Sequence, residues 1–308
     1  MTIGVAGAHP QYGSEGTNKF IPTLWSTKAL VKFYSACVLA SISNTDIDGS
    51  GIKEMGDKVE IRTRPDITVS RYYKGANLAI QRPESPNISF TVDYAYYFNF
   101  ICDNIDEYQS DMRLMNLFGE DAGYQMKIAI DTLVLADIYN DADSYNKGNT
   151  AGLKSGDIAL GVTSTSPLTV TKANILDVIV DVDTVLNEQN VPPEDRWFVI
   201  PPWMRGMILK SDLKDVSMTG DGQSVLRNGR IGRIGGFEFF ISNLLYSASS
   251  EFFLVAGQKR ALAFVSQMTK TGKVESESTF GTLVRGLNVF GYKVLKDEAL
   301  VNLVVKKG

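Results

Sequence analysis

Between Ile88 and Phe100 every even position carries a large apolar side chain (Ile88, Phe90, Val92, Tyr94, Tyr96, Phe98, Phe100). The odd positions are mostly small or polar (Ser89, Thr91, Asp93, Ala95, Asn99). A period of two is that of a β-strand with one covered face and one wet face. At about 3.3 Å per residue the run spans about 40 Å, whereas an ordinary strand has about 5 to 6 residues. Its far end reaches past any core that a compact chain of this size can build. The apolar face therefore needs cover from outside, and a second copy of the chain is the simplest cover. The part up to about Val92 reads as the return of an overhanging ribbon, and Tyr94 to Phe100 as its anchorage in the body.

The approach to this run is also extended. Val59 and Ile61 alternate with Glu60 and Arg62, Ile67 and Val69 alternate with Thr68 and Ser70, and Pro83 and Pro86 interrupt before the long strand. Proline lacks the N–H that a ladder needs, so it belongs at edges, bends or tips. Residues 57 to 92 are thus expected to form a projecting β ribbon with Arg62, Arg64, Arg71 and Lys74 on its exposed side. With Tyr73, Ile88 and Phe90, these are the expected contacts with a neighbouring subunit.

Around the ribbon the pattern is mixed. Residues 1 to 22 carry Gly4, Gly7, Gly13 and Gly16 and read as a pliable arm. Helical spacing is expected from Trp25 to Ile42. A long helix is expected from Asp106 to Asp141, with Tyr108, Met112, Met115, Ala122, Met126, Ala129, Leu133 and Ala136 on its packed face and weak points at Gly119 and Gly123. Residues 142 to 170 are turn-rich. An amphipathic helix follows from Lys172 to Gln189, burying Ile175, Val178, Ile179, Val182, Val185 and Leu186, and Pro192 and Pro193 stop it. Strands are expected at Trp197–Ile200, Phe237–Asn243, Phe252–Val255, Ala261–Val265, Thr282–Val294 and Leu300–Val305, with a short helix at Trp203–Leu209. Helices and strands in blocks make this an α+β chain.

The chemistry of the chain narrows its function. The formal net charge is −4 and the pI near 5.2, which argues against a protein whose main work is gripping nucleic acid. Two cysteines, Cys37 and Cys102, sit among apolar residues and are expected as buried free thiols in a reducing compartment. No apolar run is long enough for a spanning helix, and no secretory leader is apparent. The one histidine, His9, lies on the glycine-rich arm, and no catalytic triad, nucleophile elbow or zinc spacing occurs. Gly229, Gly232, Gly235 and Gly236 match no phosphate-binding spacing and read as tight turns. Asp46, Asp48, Ser50, Gly51, Glu54 and Asp57 fall near the spacing of a calcium loop. Lys53 and the short Asp57 depart from it, and an Asx-rich turn accounts for the same residues. Asp177, Asp181 and Asp183 read as a solvated helix face. No cofactor and no catalytic residue is expected.

The order of elements is similar to a known family. A glycine-rich arm, a short helix, a ribbon opened by Gly56-Asp57-Lys58-Val59, a strand entered through Val92-Asp93, a long helix and a mixed second half resemble the HK97-type major capsid proteins of tailed double-stranded DNA bacteriophages. The P22-like coat proteins are the closest branch. Ile234-Gly235-Gly236-Phe237, Gly257-Gln258-Lys259-Arg260-Ala261 and the Gly286 to Gly291 strand before Glu298-Ala299-Leu300 add to it. The resemblance implies an N-terminal arm at 1–22 and an extended loop (E-loop) at 56–92. It also implies a peripheral domain from 23–55, 93–150 and 265–308 with a spine helix at 106–141, and an axial domain at 151–264. Copies would form hexamers and pentamers of an icosahedral head around double-stranded DNA, assembled in the bacterial cytoplasm with scaffolding, portal and decoration proteins and without any membrane. A built-in scaffolding segment ahead of the arm and the inserted domain of the P22-like coats are expected to be missing. Lysine–asparagine crosslinking, with Lys74 as the donor nearest the ribbon tip, is not expected.

Two other readings share part of this pattern. An encapsulin-like compartment has the same implied fold but encloses cargo enzyme. An α+β enzyme or carbohydrate-binding protein would use Trp197, Trp203 and tyrosine-rich surfaces as platforms for sugar rings.

Overall fold

The computed structural model describes residues 34–44, 114–211, 233–276 and 280–308, and residues 56–103 apart from positions 63, 66, 76, 79, 85 and 86. The most uniformly apolar segments of the chain form the centre of a mixed seven-stranded sheet. Its strands run in the order β4 (Leu168–Val170), β12 (Leu300–Lys307), β9 (Glu251–Gln258), β5 (Arg196–Ile200), β7 (Phe237–Ile241) and β6 (Arg233–Ile234), and β8 (Ser247–Ala248) forms a hairpin with β9. β9 is antiparallel to both β12 and β5, while the β5–β7 and β4–β12 pairings are parallel. All of β5 and the first six residues of β12 are buried. Strands covered on both faces read as continuous apolar runs, which is why alternation is weak there.

Helix α3 (Ile175–Glu188) covers β12 with the six residues that its spacing predicts, Ile175, Val178, Ile179, Val182, Val185 and Leu186. It is tied to β5 by one buried side chain. The Arg196 guanidinium donates to Asp183 Oδ1 at 2.5 Å, Asn187 Oδ1 at 2.8 Å, the Pro192 carbonyl at 3.0 Å and the Val191 carbonyl. Asp183 is therefore an ion-pair partner, not simply a solvated residue. Strand alternation cannot show this, because the pairing depends on where the helix lands. Beyond β5, Pro202 opens helix α4 (Pro202–Lys210), close to the expected short helix.

A second, three-stranded antiparallel sheet stands beside the first, in the order β10 (Leu262–Glu275), β11 (Gly281–Val294) and β3 (Tyr94–Asp103). The β10–β11 hairpin leaves the large sheet after β9 and returns just before β12. Helix α2 (Leu114–Leu135) lies on one of its faces, with Phe118 edge-on to Phe100 at 5.9 Å. The helix passes through Gly119 and Gly123 and ends at Leu135, short of the predicted Asp141. Its last carbonyls are taken in tighter turns, and residues Ile138–Asp141 form a 3-10 turn. The buried line of α2 is Met126, Ile130, Val134 and Leu135, while Ala129 is exposed and Leu133 half-buried. The predicted stripe is thus displaced toward the main core, which lies beneath the helix's C-terminal half.

The described part of the predicted Trp25–Ile42 helix is one turn only, α1 (Leu39–Ile42). The reason is Asp131, buried on α2. Its Oδ2 accepts the N–H of Val38 at 2.6 Å and of Leu39 at 3.2 Å, the donors that a longer helix would send back to residues 34 and 35. Residues 34–38 run without helix and leave Cys37 exposed, against expectation, while Cys102 is buried; neither is in a disulfide among the described residues.

The ribbon is a separate two-stranded sheet. β1 (Lys58–Arg62) pairs antiparallel with β2 (Asn87–Thr91), Lys58 opposite Thr91 and Arg62 opposite Asn87. The alternating run of Ile88–Phe100 is therefore divided at Val92 and Asp93 between two sheets, β2 in the ribbon and β3 in the body. The described residues between 64 and 84 carry no strand pairing. Pro65 and Pro83 withhold ladder donors there. Instead the Gln81 side chain bridges the two arms, donating to the Thr68 carbonyl at 2.7 Å and accepting from the Thr68 N–H at 3.0 Å.

Replacing Arg196 by Ala strands several buried acceptors and should cost about 3 kcal/mol, lowering the thermal midpoint by roughly 5 °C in calorimetry. Burial raises the Asp131 carboxyl above its usual range, against the pull of the Leu39 and Val38 N–H groups. The folded chain then holds this proton more tightly than the unfolded chain. Relative to Asp131→Asn, the wild type should lose stability as pH rises from about 4 through the raised value, measured by denaturant titration at several pH values.

Candidate assembly surface

The ribbon exposes apolar residues that the body does not cover. Ile67, Val69, Tyr72, Tyr73, Leu78 and Ile80 all face solvent, Val69 at 93% and Ile80 at 90% of full exposure. Soluble chains scatter such residues singly, and clusters of them mark interaction surfaces. The cations lie among them. Arg64, Arg71 and Lys74 are exposed, and the Arg71 guanidinium sits 5.1 Å from the centre of the Tyr73 ring. The ribbon thus presents an aromatic and aliphatic strip with a cationic flank. The side chain of Arg62 lies outside the described residues.

The root of the ribbon is different. Phe90 and Val92 are buried in a small core of their own with Ala263, Val265 and Val289, against which Val59 and Ile61 pack. Phe90 spends its side chain inside its own chain, and Ile88 is half-buried beside it on β2. Of the expected contact residues, Arg64, Arg71, Tyr73 and Lys74 share the exposed part of the ribbon, whereas Ile88 and Phe90 belong to its base.

A second exposed surface was missed from the sequence. The face of the three-stranded sheet turned away from α2 carries Tyr97, 78% exposed, with Ile101 and Val274. It holds an open groove of about 550 Å³ lined by Tyr97, Asn99, Lys270, Gly272, Arg285 and Leu287. Tyr97 occupies an odd position of the alternating run and Ile101 follows directly after the run on the same face; these two large residues on the supposedly wet face were the available signal.

Asp46 and Asp48 lie outside the described residues, as do His9, Gly229 and Gly232, and Asp57 uses its carbonyl to accept the Val92 N–H at 3.0 Å. Among the described residues no group of three or more His, Cys, Asp or Glu is placed to hold a metal ion. Gly235 and Gly236, at φ +57° and +80°, form the two-residue turn between β6 and β7. Asp181 is half-buried, and burial, then Asp177 and Asp157, raises its carboxyl. Trp197 is buried, and Trp203 is half-buried against Phe252 at 5.5 Å, so neither offers a free ring face for a sugar. Among the described residues no helix is long and apolar enough to cross a membrane.

The sequence profile of a family described as phage capsid protein matches residues 105–303, well over half of the chain. The chain belongs to the phage capsid protein family. Solved structures with a similar fold span nearly its whole length. One from Mycobacterium phage Che8 is 22% identical, with a TM-score of 0.67 over 92% of this chain and 97% of that one. The capsid structure of the cyanophage P-SCSP1u is 15% identical, with a TM-score of 0.68 over 97% of both chains. The mature capsid of bacteriophage PhiM1 is 15% identical, with a TM-score of 0.65 over 93% of this chain and 91% of that one. No curated protein matches the chain significantly. The fold is the HK97-like capsid fold, and the protein is a phage capsid protein. It is a structural capsid protein by family, not an enzyme.

The exposed strip predicts a specific variant. Ile67→Ser, Val69→Ser and Ile80→Ser together should leave the thermal midpoint within about 1 °C, because these side chains touch little of the body. Self-association measured by light scattering should fall at least tenfold.

Proposed function

We propose that this capsid protein forms hexamers and pentamers of an icosahedral head that encloses double-stranded DNA, and that the ribbon at 56–92 is the E-loop lying over a neighbouring subunit. The single observation that carries the reading is the ribbon's row of uncovered apolar side chains, Ile67 to Ile80, held beyond the body that would otherwise bury them. Burying a Val, Ile or Tyr of this kind contributes about 1.5 to 3 kcal/mol each, which favours a covered state over a wet one. Arg62, Arg64, Arg71 and Lys74 then meet carboxylates of the neighbour.

Within this reading, residues 1–22 are the N-terminal arm. Residues 23–55, 93–150 and 265–308 make a peripheral domain around the spine helix, and residues 151–264 make the axial domain. The seven-stranded sheet supports this division only in part, because β12 at 300–307 joins strands from 168–258. The order of arm, ribbon, helix and mixed second half, as read from the sequence, supports assignment to the P22-like branch. Assembly takes place in the bacterial cytoplasm with scaffolding, portal and decoration proteins. DNA is held without sequence preference, and the acidic net charge of −4 is compatible with a container that must release it.

Deleting residues 60 to 88 tests the ribbon. A soluble, folded body that forms no closed shells in negative-stain microscopy is expected, and normal shells from this deletion would sink the E-loop assignment. For the intact chain, shells containing nuclease-protected DNA are expected on expression with scaffold. Cargo protein in place of DNA would favour an encapsulin-like compartment.

A further inference from the structure

We infer that Gly291, together with the Phe90 and Val92 plug, seats the root of the ribbon and sets the angle at which it leaves the body. On this view the ribbon is a lever of fixed direction and not a freely hinged arm. Its consequence for shell geometry rests on the ribbon being the inter-subunit arm; the seat itself does not.

The pairing of β11 with β3 ends at Phe290 opposite Tyr94. Gly291 is the next residue of β11, opposite Val265 on β10. At that point the chain leaving β3 crosses directly over the glycine. A Cβ at position 291 would lie 3.1 Å from Val92 Cα, 3.2 Å from the Thr91 carbonyl oxygen and 3.4 Å from Phe90 Cε2. Two of these are backbone atoms, so a side chain there cannot be accommodated by a rotamer change. The root itself must move. Glycine lets the two backbones approach this closely without the few tenths of an ångström of give that a Cβ would demand.

Three further contacts hold the crossing. Val92 is wholly buried and Phe90 nearly so, both in the core with Ala263, Val265 and Val289. The ribbon's ladder continues to the root, since the Val92 N–H donates to the Asp57 carbonyl at 3.0 Å and the Gly56 N–H donates to the Val92 carbonyl at 2.8 Å. The Thr91 hydroxyl donates to Asp93 Oδ2 at 2.6 Å across the kink. From Val92 to Gly75 an extended chain reaches up to about 55 Å, so a small tilt at the root becomes a displacement of many ångströms at the tip.

The experiment compares full-length Gly291→Ala and Gly291→Val with Gly206→Ala, a control on α4 where an added Cβ meets no atom within 4 Å. In a Cys37→Ser background, spin labels at Asn77→Cys on the ribbon and Val180→Cys on α3 report the ribbon angle in unassembled protein. Electron microscopy reports the assembly product. A single narrow distance is expected for the wild type and the control, a shifted or broadened one for Gly291→Val, and a smaller shift for Gly291→Ala, which keeps the test alive if the valine variant does not fold. Shells of the shifted variants should be open or misshapen. A broad distribution in the wild type, or unchanged distances in the 291 variants, overturns the seat. Shifted distances with normal closed shells uphold the seat and count instead against the ribbon's role in assembly.

Discussion

The antiparallel pairing of β9 with β12 is the constraint on which the rest of the architecture depends. Both strands are largely buried, so their backbone groups must be paired within the sheet or lose their hydrogen bonds altogether. The pairing sets Leu300 opposite Gly257, one residue from the end of β9. Everything between the two strands is therefore an excursion that starts and finishes at nearly the same point. The Leu295 N–H donates to the Ala261 carbonyl at 2.7 Å across the neck of that excursion. The long β10–β11 hairpin is held upright at its base, and β3 completes it as a sheet.

The same hairpin divides the apolar surface of the chain into two kinds. On one face α2 covers the sheet, and at its base Phe90 and Val92 complete a small core. Out along the ribbon there is no such cover. The exposed Val, Ile, Leu and Tyr side chains together offer on the order of 10 kcal/mol if buried, which is comparable to the about 4 to 15 kcal/mol that association costs. One ribbon contact alone is marginal. In the proposed head each subunit both gives and receives a ribbon, and closed symmetry repeats the contact around a ring.

Regular burial was legible in the sequence. The six inward residues of α3 stand where its 3.6-residue period puts them, and most of the expected second-half strands lie within a few residues of their ranges, except that the strand expected at Ala261–Val265 runs on to Glu275. The exposed ribbon was legible in outline from the extended, proline-interrupted residues 57–92, whereas the long alternating run is two strands covered largely by their own chain. Polar groups that reach across the fold were not legible. Asp131 looks like any helical aspartate, yet it shortens the preceding helix by taking the N–H groups of Val38 and Leu39. Asp183 reads as solvated until Arg196 reaches it from a strand 13 residues away. The unpaired stretch from 64 to 84 shows the same limit, since alternation predicted strand where prolines and the Gln81 side chain prevail.

By itself the sequence determined which residues would be covered along α3, that the chain was α+β, and that Ile88–Phe100 was extended with one apolar face. Those are properties of short-range periodicity. The cover for that face came from the same chain, with Phe90 and Val92 in the small core and Phe100 against Phe118. Only the tertiary structure decided where that run breaks between ribbon and body, which face of the three-stranded sheet stays open, and that a glycine in β11 lies under the break. Each depends on two distant segments meeting at a few ångströms. Periodicity carries no information about which segments meet, because the same alternating pattern fits any sheet that buries one side.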